Sequence, residues 1–133
     1  MKLQKIILLI DSLSGLIAGI FVLLLYSYFS AWYNWSREQT LFIGFTNLLY
    51  GSYSGFILYQ FTRGNLVLNE KITVLILANC IWAGHCFTQV WNHYSNFSIF
   101  GSLHLGFEGI YVIVLAYFEA RFLLAPFLYE SNT

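Results

Sequence analysis

Charge is what this chain has least of. Only 9% of its 133 residues are Asp, Glu, Lys or Arg, six of each sign, and the formal net charge is zero. Such a surface offers little to a phosphate backbone, so nucleic acid is not expected as a partner. Proline occurs once, at Pro126, outside every apolar stretch. Cysteine occurs twice, at Cys80 and Cys86, six residues apart in one apolar run. On a helix that spacing puts roughly 9 Å of rise between their Cα atoms, beyond the ~7 Å that a disulfide tolerates. The two read as buried small hydrophobes and carry no message about redox compartment.

The motifs of common enzymes are missing as well. There is no G-x-S-x-G elbow, no phosphate-cradling glycine loop and no dinucleotide fingerprint. His85 and Cys86 are adjacent, but neighbours on a helix diverge by about 100° and do not form a Cys–His pair. The expectation leans away from catalysis.

Apolar length is what the chain has in quantity. Hydrophobic residues make up 59% of it and aromatic residues 20%. A soluble domain of this size cannot hide that much apolar surface, whereas a bilayer accommodates it. A transmembrane helix needs about 20 largely apolar residues. Four segments supply them: Ile6–Phe29, Leu41–Phe61, Ile72–Trp91 and Phe100–Leu124. The runs are continuous rather than alternating, and too few to close a barrel. Connections near Ser30–Thr40, Thr62–Lys71 and Asn92–Ile99 are short, which makes sequential helices antiparallel neighbours. The expected fold is all-α: a single domain over 1–133, an up-down-up-down bundle of four transmembrane helices. Lys2 and Lys5 ahead of the first run resemble a signal peptide. That run, however, exceeds the roughly 7–15 residues of an h-region and lacks a small-x-small site, so it reads as a retained span.

Orientation follows from the cations. Lys2, Lys5, Arg63, Lys71 and Arg121 fall on one side and Arg37 on the other, which predicts a multi-pass protein of the cytoplasmic (inner) membrane with both termini cytoplasmic. Trp32, Tyr33, Trp35, Trp91 and Tyr94 mark the outer ends and read as interfacial anchors. Gly15-x-x-x-Gly19 in the first span, with Gly44, Gly51, Ser54 and Gly55 in the second, predicts close helix packing. Spacing leaves open whether that packing lies within one chain or between copies of it.

Polar groups at membrane depth are costly without a partner or water, so each requires a reason. The fourth span carries His104 and Glu108 one turn apart, with Tyr111 and Glu119 on the same stripe. Helical phase aligns Asn47 with Gly51 and Ser54, Asp11 with Gly15 and Ala18, and Asn79 with Ala83 and Cys86. Each helix thereby offers one face of polar and small residues, suited to an interior. His85 points about 120° from Asn79, beside Gln89, making a second stripe. That double polarity predicts the third span as the one least exposed to lipid. Glu119 and Arg121 are expected at the cytoplasmic interface, pairing with Arg63 or Lys71.

The site expected from these faces comprises Glu108, His104, Asn47, Tyr111, Asn79 and Asp11, and binds or passes a small polar ligand, cation or proton. The bland alternative for each is structural: a hydrogen-bonded carboxyl at Glu108, and interhelical hydrogen bonds at Asn47 and Asn79. If a metal or haem is bound, His85 and His104 are the ligands to expect, making a membrane redox protein. A third reading is an accessory subunit, packed beside a larger membrane complex or itself. The segments Asn47–Ser54, Ala78–Ala83 and Phe100–Arg121 resemble short four-span bacterial membrane proteins of unassigned activity. That resemblance implies four-span inner-membrane architecture and brings no cofactor or activity with it.

Overall fold

The computed structural model describes residues 2–64, 67 and 69–124. Pro126 lies outside them, as do 65, 66 and 68 of the second connection. The elements are α1 (Lys2–Leu24), α2 (Tyr26–Tyr33), α3 (Arg37–Thr62), α4 (Asn69–His93) and α5 (Ile99–Glu119), the last running into a π-helical turn at Ala120–Leu124. No strand occurs among the described residues. Four stretches, Lys2–Leu24, Arg37–Thr62, Asn69–His93 and Ile99–Leu124, are long and apolar enough to cross a membrane.

Serines set two of the helix starts. Ser36, in extended backbone, accepts the Gln39 N–H at 3.1 Å, with Glu38 in the first turn where the helix dipole favours an acid. Ser98 accepts the Gly101 N–H at 3.1 Å and starts α5 in the same way. The first span is not continuous, as its hydropathy suggests. It turns at Leu25 (φ −110°, ψ 24°) although neither proline nor glycine stands there. Backbone hydrogen bonds persist on both sides, from Leu25 N–H to Phe21 C=O and from Phe29 N–H to Leu25 C=O. The reason lies downstream: α2 is fastened to the start of α5. Ser98 N–H donates to Tyr33 C=O at 3.0 Å, and Asn34, left-handed at φ 55°, donates its amide to Asn96 C=O.

Two helix pairs make the closest contacts, α1 with α3 and α4 with α5. In the first pair the glycine positions have no room for a side chain of their own. A Cβ on Gly51 would come within 2.4 Å of Leu16 N, and one on Gly15 within 2.9 Å of the Gly51 Cα. Ser12 Oγ donates to Gly51 C=O at 2.9 Å across the same contact. The small-residue spacing is therefore satisfied within one chain. In the second pair Gly109 faces the Phe87 ring and Cys86.

The third span is no more enclosed than its neighbours, contrary to its polarity. A third (33%) of the apolar windows of α3, α4 and Ile99–Leu124 is buried alike, against 39% in α1. The second polar stripe of His85 and Gln89 is only half-buried, so a second polar face did not bring a second buried face with it. Cys80 is exposed, Cys86 is buried, and both are free thiols.

A candidate polar cleft between the helices

A cleft of about 340 Å³ runs between α1 and α5, backed by α3 and α4. All six residues expected from helical phase line it: Asp11, Asn47, Asn79, His104, Glu108 and Tyr111. Ser14, Gly15 and Ala18 form its α1 wall, and Phe107 and Val112 add to the α5 wall. Tyr50 and Trp82 complete the back. On α5 the lining residues Phe107 and Tyr111 are also exposed, so the cleft opens sideways along the α1–α5 seam.

Glu108 dominates its upper part. Oε1 accepts two N–H groups, from Asn47 Nδ2 at 2.9 Å and from Trp82 Nε1 at 2.8 Å. Oε2 stands 3.4 Å from His104 Nε2 and has no closer hydrogen-bond donor. Both donors fall on the same oxygen, so Oε1 is fully satisfied while Oε2 keeps only the long contact with His104. His104 is held in turn: Nδ1 meets the Tyr33 hydroxyl at 3.3 Å, and the Tyr33 and Trp35 rings stand edge-on to the imidazole. This is what the fastening of α2 achieves, since it carries Tyr33 over the end of the cleft. With the Tyr33 O–H donating to Nδ1, the Nε2–H points at Glu108.

Lower down, Asn79 Nδ2 donates to Glu119 Oε2 at 3.0 Å. Glu119 is wholly buried, not interfacial, and its neighbours are Asn79 and Asp11 rather than Arg63 or Lys71. Its distance from the helix end suggested the interface; the packing of α1 and α4 around the end of α5 overrides that. Among the described residues no lysine or arginine lines the cleft. The one acid–base contact found among the described residues is His104–Glu108 itself, an ion pair only when the imidazole is protonated.

Several members were not named from sequence. Trp82 carried a usable signal, because a tryptophan in mid-span is out of place in a residue type that favours interfaces. Tyr33 carried none, being one of several aromatics at an outer end. His85 lies outside the cleft, stacked on Trp82 at 5.0 Å and edge-on to Phe42. The contacts joining His85 to His104 run through Trp82 and Glu108, and among the described residues no three metal-ligating side chains converge.

No family model, curated protein or solved structure matches this chain.

Proposed function

We propose that this protein is a membrane-embedded binding site for a small organic cation, an ammonium group on an apolar or aromatic body, without catalysis. The observation that carries the reading is Glu108, which lines the cleft with one carboxylate oxygen saturated by Asn47 and Trp82 and the other held only by a long 3.4 Å contact with His104 Nε2. A negative group in a cleft free of lysine and arginine attracts positive charge. The rings of Tyr50, Trp82, Phe107 and Tyr111 around it favour a cation with organic substituents over a bare metal ion. The volume lies within the ~300–1,000 Å³ typical of small-molecule sites. The sideways opening lets a guest arrive from the bilayer. In this reading the chain forms an up-down-up-down bundle in the cytoplasmic membrane with both termini cytoplasmic, in keeping with its basic residues.

The test is equilibrium binding of benzyltrimethylammonium and phenethylamine to protein in lipid nanodiscs, with benzyl alcohol as the uncharged control. The wild type binds both cations and prefers them to the alcohol. Glu108→Gln keeps the volume and the oxygen that accepts from Asn47 and Trp82, and weakens cation binding by roughly 10- to 100-fold. Equal affinity for cation and alcohol, or binding indifferent to Glu108→Gln, overturns the reading.

A further inference from the structure

At the lower end of the cleft two acids meet. Asp11 of α1, 5% exposed, and Glu119 of α5, 0% exposed, lie with their carboxyls within hydrogen-bond reach of each other. Asn79 Nδ2 satisfies Glu119 Oε2, and the Ser54 hydroxyl stands within reach of Asp11. Asp11 Oδ2 and Glu119 Oε1, both buried, have no hydrogen-bond donor among the described residues. The groups facing the pair are Ser54 and Tyr50 from α3, Asn79 from α4 and, higher in the same cleft, Glu108 from α5. His104 stands beyond Glu108 in that cleft, and among the described residues no lysine or arginine faces the pair. Arg121, two residues beyond Glu119, is exposed.

Two carboxylates in contact, away from water and without a counter-ion, repel each other and strand the orphaned oxygens. A single proton carried by either carboxyl removes one charge and supplies the missing donor to its neighbour. The titration then belongs to the pair rather than to one residue. Asp11 lines the same cleft as Glu108, so a positive guest compensates the second charge and makes the proton dispensable.

We propose that Asp11 and Glu119 form a proton-binding dyad, holding one proton between them, which leaves to solvent when a cation occupies the cleft. The dyad stands on its own geometry; the exchange rests on the cation reading above. Binding and proton release are linked reciprocally, so cation affinity rises with pH, by about tenfold per pH unit while the dyad titrates.

Infrared difference titration of the lipid-reconstituted protein reads the dyad directly. At pH 7 the wild type shows a protonated-carboxyl C=O band that Asp11→Asn and Glu119→Gln each remove and Glu108→Gln retains. Both amides offer a permanent N–H where the proton stood, which keeps the pair bridged and the fold intact. A wild-type spectrum without the band, or a band that survives both variants, overturns the dyad. Benzyltrimethylammonium added in weakly buffered solution then releases one proton per bound cation, read by a pH-indicator dye. Glu119→Gln binds the cation without release and with a flat pH dependence. Binding without release in the wild type overturns the exchange. Absence of cation binding beside an intact band sinks the proposed function and leaves the dyad standing.

Discussion

The single indole N–H of Trp82 shows how closely the residues of this cleft depend on one another. It donates at 2.8 Å to a carboxylate oxygen that also receives the Asn47 amide, and the ring carries His85 on its face. Trp82→Phe removes the donor while keeping most of the ring. Loss of one hydrogen bond to a charged acceptor costs about 1.5–3 kcal/mol, so this variant unfolds at lower denaturant and binds cations more weakly than the wild type. Asn47→Leu is more damaging, because it leaves the same carboxylate short of a donor and places an apolar side chain against it. Both effects are measured by steric-trap or denaturant unfolding in parallel with benzyltrimethylammonium titration. Equal stability of Trp82→Phe and wild type would show that the bond contributes nothing. At this scale the candidates Glu108, His104, Asn47, Tyr111, Asn79 and Asp11 were legible, since an ionisable or amide side chain inside an apolar run announces itself. Tyr33 was not, and Trp82 announced itself only as a misplaced tryptophan without a partner, because their roles depend on which helix stands opposite.

At the scale of elements, glycine separates contacts that matter from those that do not. Gly51 has no space for a methyl group: the nearest atoms to an added Cβ are backbone, which cannot rotate away. Gly51→Ala therefore forces α1 from α3 and costs about 1–3 kcal/mol, the range for overpacking a filled interface. Gly84 on α4 has nothing within 4 Å of an added Cβ. Gly84→Ala is neutral or stabilising by about 0.5–1 kcal/mol, through lost backbone freedom in the unfolded chain. Reversal of that order in an unfolding series would contradict the α1–α3 contact. Spacing alone announced close approach at Gly15, Gly19, Gly44 and Gly51. It could not say that the partner surface was in the same chain, because a small-residue groove serves a neighbouring helix of either origin. The turn at Leu25 had no local signal either; it is imposed by the attachment of Tyr33 and Asn34 to residues some 60 positions away.

For the whole molecule, the testable consequence of the proposed topology is sidedness. In a Cys80→Ser background, whole cells treated with a membrane-impermeant maleimide label Ser95→Cys and leave Thr62→Cys untouched; labelling of Thr62→Cys from outside would invert the orientation. By itself the sequence determined the helical class and the number of candidate spans, because runs of apolar residues long enough to cross a bilayer leave few other outcomes, and it determined which face of each helix is polar, because that follows from a period of 3.6. Tertiary structure alone decided what those faces meet. Glu119 looked interfacial by its place near a helix end, yet it is buried against Asn79 and Asp11. The reason is physical: periodicity records the direction of a side chain about its own axis, whereas burial and hydrogen bonding depend on the distance and rotation of the neighbouring helices, which no single helix encodes.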